Sequence, residues 1–250
     1  MPRFKVILLF LAVTFLPGNL SADVGELFRA KAESDIAAFQ VAAISARFLG
    51  TQYQADTIGG GPEQTEALTA KLDGVDCFTL LDYVEAVRRS ASPAEFLPKL
   101  QEVRYHGSIV SWQTRKHFFS DWAEDSLISD VTPVVGRDVV VGVEKALNRK
   151  NTGELYLPGV TSRQRTITYI PTNALDQRIH SRMQTGDYHG IYSGQAGLDV
   201  SHVGILIKRD DNLFLRHASN RPGVHRVVDS ALMEYLQDKP GVIVLRARPL

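Results

Sequence analysis

The sequence predicts an α+β fold, with helices from the first half of the chain packed on an antiparallel sheet built from the second half. Ahead of Asp130, apolar residues recur at helical spacing. Beyond it, β-branched and alternating apolar runs lie between turn signals. No internal repeat or low-complexity linker divides the chain, so residues 23–250 are expected to form a single domain.

The N-terminus has the layout of a secretory signal peptide over residues 1–22. Arg3 and Lys5 precede an apolar run from Val6 to Leu16, followed by Pro17, Gly18 and the small residues Ser21 and Ala22. That run is shorter than the about 20 residues a relaxed transmembrane helix needs. Export to the periplasm or beyond is therefore expected, with a mature chain starting near Asp23 and carrying no integral membrane segment. The 28 Lys and Arg residues balance the 28 Asp and Glu residues, which gives no ground for a nucleic-acid partner. A monomer is the expected state.

In chain order, Val24 to Phe48 carries Leu27, Phe28, Ile36, Phe39 and Ile44 at helical spacing and reads as one or two helices ending at Gly50. Residues 50–76, rich in Gly, Thr and Gln, read as a loop or an irregular pair of short strands. Phe78, Leu81, Val84 and Val87 then recur every three residues. They mark a helix capped by Asp76 and ending near Ser90, with Asp82, Glu85 and Arg89 on other faces. Ser92 and Pro93 open a further turn of helix. Residues 103–125 are dense in aromatic and basic side chains and hold both tryptophans. VTPVV, TITYIPT, SHVGILI, LFLRHAS and GVIVLRARP follow as strands. The stretch from about 90 to 185 reads as a long insertion that shapes a cleft.

The single cysteine, Cys77, has no disulfide partner within the chain. In an exported protein such a thiol is either an inert buried side chain or a reactive group. The sequence GVDC favours the second reading, because a glycine and an acid just ahead of the thiol imply a turn with open backbone. In the first turn of the helix, Cys77 would meet unpaired backbone N–H groups and the positive end of the helix dipole, which stabilise a thiolate. The same N–H groups could later hold an oxyanion.

A thiol nucleophile needs a base, and histidine is the usual one. Of seven histidines, His202 opens the apolar strand SHVGILI, where 202, 204 and 206 share a face and Gly204 leaves room. The turn around Asp210 and Asp211 predicts a hairpin with LFLRHAS. An even-numbered loop sets residue 202 opposite 219 and makes His217 a diagonal neighbour of His202, able to orient it. His106, His117, His180, His189 and His225 read as surface or structural. Their spacing fits no compact metal-ligand pattern, so neither a metal nor an organic cofactor is expected.

The pieces FLGTQY, GVDCFTLLDYVEAV, RKHFFSDW, TGDYHGIYSGQAGLDVSHVGILI and FLRHASN with the later EYL and GVIVLRARP stand in an order that resembles the N-acetylmuramoyl-L-alanine amidase-like family, an offshoot of the NlpC-type, papain-like cell-wall peptidases. The resemblance implies a papain-like fold and a peptidoglycan or muropeptide substrate. It also implies a catalytic cysteine at Cys77, a catalytic histidine at His202 and a third polar residue at His217. Tyr53 matches an active-site tyrosine of such enzymes. Two departures bear on substrate choice: Gln52 replaces a usual proline, and Asp76-Cys77-Phe78-Thr79 replaces the broader DCSG.

The chemistry expected is acyl transfer through a thioester. Cys77 attacks an amide carbonyl, His202 moves the proton, His217 holds His202, and the Cys77 N–H with the Tyr53 hydroxyl binds the oxyanion. Tyr53, Asp76, Arg115 and Trp122 form the expected substrate-contacting set, Arg115 and Trp122 because a guanidinium beside an aromatic wall suits a carboxylate-bearing peptide. The bond is either the D-glutamyl–diamino acid or the muramoyl–L-alanine amide. Two rivals remain: a thiol enzyme of the same fold acting on a lipid ester or thioester, and a non-catalytic peptidoglycan-binding module.

Overall fold

The computed structural model describes residues 20–250; the expected signal peptide lies almost wholly outside them. Two helices, α1 (Leu20–Lys31) and α2 (Ala37–Ala46), lead to short strands β1 (Gln52–Tyr53) and β2 (Gly74–Val75). Helices α3 (Cys77–Arg89) and α4 (Phe96–Arg104) follow, then a run of single-turn helices, strand β3 (Ile128–Asp130), helix α5 (Thr132–Gly136) and strands β4 (Val141–Leu147) and β5 (Arg163–Pro171). The rest comprises α6 (Gln177–Arg182), β6 (Tyr188–Tyr192), β7 (Val200–Arg209), β8 (Asn212–Ser219), β9 (Arg226–Ala231), α7 (Leu232–Leu236) and β10 (Gly241–Ala247). Among the described residues no helix is long and apolar enough to cross a membrane.

The expected antiparallel, papain-like α+β arrangement is corrected by the sheet. Among the described residues, ten strands form one mixed sheet in the order β2-β1-β9-β8-β7-β6-β10-β5-β4, with β3 also pairing to β10. β1 and β2 pair in parallel and come from the first half of the chain, and β3 follows just past its midpoint. Within the stretch of about 90 to 185, β4 and β5 extend the sheet beyond β10.

Both faces of the sheet are covered. Along β10, Ile243 and Leu245 join a core with α2, α3 and α4, while Val242 and Val244 join a second core with α5, α6 and α7. Period-two alternation of apolar residues toward two cores explains why the late strands read as nearly continuous hydrophobic runs. VTPVV is not a strand: its β-branched residues form α5, where Pro133 sits in the first turn, a place that tolerates a missing N–H.

Helix α3 is buried on all sides, so the charges expected on its outer faces are internal. Asp82 accepts from Arg104 Nε at 2.7 Å. Glu85 accepts from Arg88, Arg89 and the Tyr188 hydroxyl, at 2.6 to 2.7 Å. Pairing of this kind is what permits charged side chains in a core. It anchors α3, and with it Cys77, in the middle of the molecule.

Candidate active site

Cys77 is the first residue of α3. Asp76 caps the helix, its Oδ1 accepting from the backbone N–H of Phe78 at 2.9 Å and of Thr79 at 2.7 Å, while Thr79 Oγ1 accepts from the Asp76 N–H at 2.9 Å. The backbone N–H groups of Cys77, Phe78 and Val203 act on the sulfur. Val203 belongs to β7, so the start of the helix meets the start of the strand that carries His202.

His202 and His217 share the β7–β8 hairpin, which closes on the two-residue turn Asp210-Asp211, with Arg209 opposite Asn212 and Ile205 opposite Arg216. That is the even register, and it joins the two imidazoles: His202 Nε2 and His217 Nδ1 lie 2.8 Å apart. His217 Nε2 reaches Ser230 Oγ on β9 at 3.1 Å. Tyr235 of α7 packs on both rings, with centroids 6.0 Å from His202 and 4.9 Å from His217. Gly204 does not leave open room beside His202. A Cβ there would meet Leu215 Cδ1 at 2.7 Å, so the glycine lets β8 pack closely.

Cys77 and His202 line one cavity of about 240 Å³ together with Phe78, His117, Phe118, Leu157 and Leu198. No hydrogen bond joins the sulfur to the imidazole directly; they meet across this space. Buried polar groups hold its walls. Asn148 Nδ2 donates to the carbonyls of Leu157 and Val160 at 3.0 and 2.7 Å. Lys145 Nζ donates to the carbonyls of Ser193, Gln195 and Leu198. Asp199 accepts from the N–H of Ser120 at 2.7 Å and of Val200 at 2.8 Å, tying the aromatic segment to the base of β7.

The electrostatics overturn the expected low thiol pKa. Burial first, and the Asp76 carboxylate second, push the Cys77 thiol up to about 12, outweighing the three N–H groups at the sulfur. Burial pulls His202 down to about 3, helped by His217, Arg221 and Lys239. It pulls His217 down to about 4, with Arg221 adding to the fall and Asp229 opposing it. The resting pair is thus a neutral thiol beside a neutral imidazole.

Burial first, and then the nearby Cys77 and Asp76, raise the hydroxyl pKa of Tyr53, which is half-buried on β1. Asp76 lies beside the cavity with one carboxylate oxygen committed to the cap. Arg115 and Trp122 do not line this cavity. Arg115 is engaged by Glu66, with Nε 2.8 Å from Oε1, and by the Gly59 carbonyl. Trp122 is buried in the core against Phe78 and Tyr188. The guanidinium beside an aromatic wall expected of this pair does not form, because core packing takes the ring and a buried acid takes the guanidinium.

Sequence reasoning passed over His117, which lines the cavity and bonds the Trp112 carbonyl at 2.8 Å, and Tyr235, whose EYL motif was noticed without a role. His189 is a structural residue, fully buried on β6, and His180 is in α6. Among the described residues no group of three His, Cys, Asp or Glu side chains is placed to hold a metal ion.

The model of the N-acetylmuramoyl-L-alanine amidase-like family matches residues 43–242, a span that contains every element of this site. The chain belongs to that family. Membership supports a hydrolase acting on amide bonds and points to peptidoglycan as the substrate polymer. Among solved structures, the fold is similar to that of a Legionella pneumophila protein assigned to the family model DUF1460, with 22% identity, a TM-score of 0.76 and coverage of 92% of this chain and 95% of that one. It is similar as well to an N-acetylmuramoyl-L-alanine amidase from Bacteroides uniformis, with 24% identity, a TM-score of 0.65 and coverage of 82% and 97%. A Bacteroides fragilis protein provisionally named a xylanase matches at 25% identity and a TM-score of 0.65, covering 81% and 98%. No match was found among curated proteins. These amidase-like folds stand in place of the papain-like NlpC arrangement that the sequence had suggested.

Proposed function

We propose that this chain is an exported cysteine amidohydrolase that cuts an amide bond of peptidoglycan stem peptides, either D-glutamyl–diamino acid or muramoyl–L-alanine. The observation that carries the reading is the shared cavity of Cys77 and His202, with His217 hydrogen-bonded behind the imidazole.

The tautomers that leave a free lone pair on His202 satisfy the whole chain of contacts. His217 Nε2–H donates to Ser230 Oγ, leaving His217 Nδ1 to accept from His202 Nε2–H. His202 Nδ1 is then the free lone pair that takes the thiol proton. Because thiol and imidazole are both neutral at rest, the proton moves as the sulfur attacks, in the substrate complex where catalytic hydrogen bonds tighten. The S–C bond forms, the amide carbonyl becomes an oxyanion beside the Cys77 N–H and the Tyr53 hydroxyl, and His202 returns the proton to the leaving amine. Water then cleaves the thioester with the same base.

A second reading has its own support. The cavity wall made by Phe78, Phe118, Leu157, Leu198 and Val200 is apolar, which suits a lipid ester or acyl thioester. Mass spectrometry of purified muropeptides and of acyl esters, each incubated with the protein and with a Cys77→Ala variant, decides between them. Muropeptide products that depend on Cys77 name the bond and support the amidase; products from the esters alone transfer the assignment to the lipid reading.

A further inference from the structure

Arg221 stands on the β8–β9 turn, and among the described residues no carboxylate pairs with its guanidinium. Its neighbours in the fold are treated differently: Arg216 is paired with Asp229 through two contacts of 2.8 and 2.9 Å, and Arg209 contacts the same acid. Arg221 instead lies over the Tyr235 ring, 4.9 Å from its centroid. Tyr235 in turn packs on the rings of both His202 and His217.

The backbone under Arg221 is fixed. Its carbonyl accepts from the N–H groups of Val224 and His225 at 3.0 and 3.2 Å, and the His225 carbonyl accepts from the N–H of Tyr53 at 3.0 Å. The turn is therefore stapled to β1 beside Cys77, and the exposed guanidinium is held in place on an aromatic platform.

We propose that Arg221 is a substrate-specificity residue that receives a free carboxylate of the substrate next to the scissile amide. This rests on Cys77 and His202 being the reacting pair. A planar guanidinium with unused N–H donors binds a carboxylate through two parallel hydrogen bonds, and stacking on a ring lowers the entropy lost in doing so.

The anchor also acts on the base. The charged or titratable groups that face His202 are Cys77 across the cavity, Tyr235 on its ring, His217, Arg221 and Lys239, and the two cations oppose its protonation; His217 faces Tyr235, Arg221 and Asp229, the last already engaged by two arginines. A carboxylate seated on Arg221 offsets that residue's positive charge and makes His202 a stronger base only when the correct substrate is bound. The uncharged stem-peptide analogue, amidated at that carboxylate, lacks this effect. The apolar wall on the other side of the cavity then accommodates the uncharged part of the substrate.

The test compares alkylation of Cys77 by anionic iodoacetate and neutral iodoacetamide in the unmodified protein, Arg221→Gln and Arg221→Lys, alongside hydrolysis of stem peptides with free and amidated carboxylates. The expected result is an iodoacetate-to-iodoacetamide rate ratio that falls by about tenfold in Arg221→Gln, is partly restored in Arg221→Lys, and collapses in high salt in the unmodified protein. Equal ratios in the unmodified and Arg221→Gln proteins overturn the anchor, whether or not peptides are cut. A ratio that falls as expected in Arg221→Gln, with no peptide hydrolysed by the unmodified protein, keeps the anchor and removes the amidase reading. A thiol that neither reagent modifies removes the reacting pair and the anchor with it.

Discussion

His202 Nε2 and His217 Nδ1 lie 2.8 Å apart, and this contact decides which nitrogen of His202 is free to act. A carboxylate or amide in the position of His217 would accept the same hydrogen bond; an imidazole does so only as the Nε2–H tautomer, whose proton Ser230 Oγ, 3.1 Å from that nitrogen, is placed to accept. The orienting group is itself oriented.

Replacing His217 tests that arrangement. His217→Ala is expected to lower kcat/KM by about 100-fold or more, within the range that positioned general-base catalysis supplies. His217→Asn should recover much of the loss, because its amide oxygen can accept from His202 Nε2–H. Steady-state kinetics on the substrate identified by mass spectrometry measure both; an asparagine variant as weak as the alanine variant would show that ring packing with Tyr235, not the hydrogen bond, is what matters.

The neutral resting pair makes a prediction about pH. With the thiol at about 12 and His202 at about 3, neither group changes charge between pH 5 and 9 in the free protein. The rate of Cys77 alkylation by iodoacetamide should then climb by about tenfold per pH unit toward alkaline pH, without a plateau, as the thiolate fraction grows. A plateau reached near pH 6 would reveal a preformed thiolate–imidazolium pair and sink this account.

Asp76 combines two effects that one substitution separates. Asparagine caps a helix as well as aspartate does, but it carries no charge to hold the thiol proton on. Asp76→Asn should leave thermal stability nearly unchanged and speed alkylation at pH 8 by about threefold, equal to half a pH unit of thiol acidity. Asp76→Ala loses the cap and about 1 kcal/mol of stability besides. Chemical denaturation with parallel alkylation rates reads both effects.

The parts of this molecule that were legible in the sequence are the ones governed by local rules. Asp76 before a periodic helix specifies a cap, and Asp210-Asp211 between two apolar runs specifies a hairpin, with no help from distant residues; the choice of the even loop that brings His217 beside His202 is made by the fold. What stayed hidden depends on partners far along the chain. Glu66 claims Arg115 across 49 residues, Arg104 neutralises Asp82 across 22, and Tyr235 reaches the histidines from α7. The fold class is hidden for the same reason, since membership of β1 and β3 in the sheet is set by strands formed more than a hundred residues later, and β2 joins through β1.

His189 should make the protein sensitive to acid. It is fully buried, neither ring nitrogen has a partner, and burial, with a smaller push from Arg246, pulls it down to about 3. Between the ordinary histidine value of about 6.5 and that point, the unfolded chain binds a proton that the folded one refuses, so stability falls as pH drops through the window. His202 and His217 contribute with the same sign. In His189→Leu the urea midpoint should drop less between pH 7.5 and pH 5 than in the unmodified protein; an equal drop would mean that the ring is protonated or solvated in the fold.

Arg115 separates a structural role from a substrate role. Its guanidinium meets a Glu66 side chain that is only 2% exposed and that also accepts from the Tyr105 hydroxyl at 2.7 Å. Removing the cation leaves a buried carboxylate without its counter-charge, a change that costs about 3 kcal/mol or more. Arg115→Ala should therefore lower the denaturation midpoint sharply, and the double variant Arg115→Met with Glu66→Leu should regain most of that stability, since well-packed apolar groups can replace a buried pair. Both proteins, assayed well below their midpoints, should keep a KM close to that of the unmodified chain. A KM raised about tenfold in the stable double variant would instead return Arg115 to the substrate-binding set that its place in the sequence first suggested.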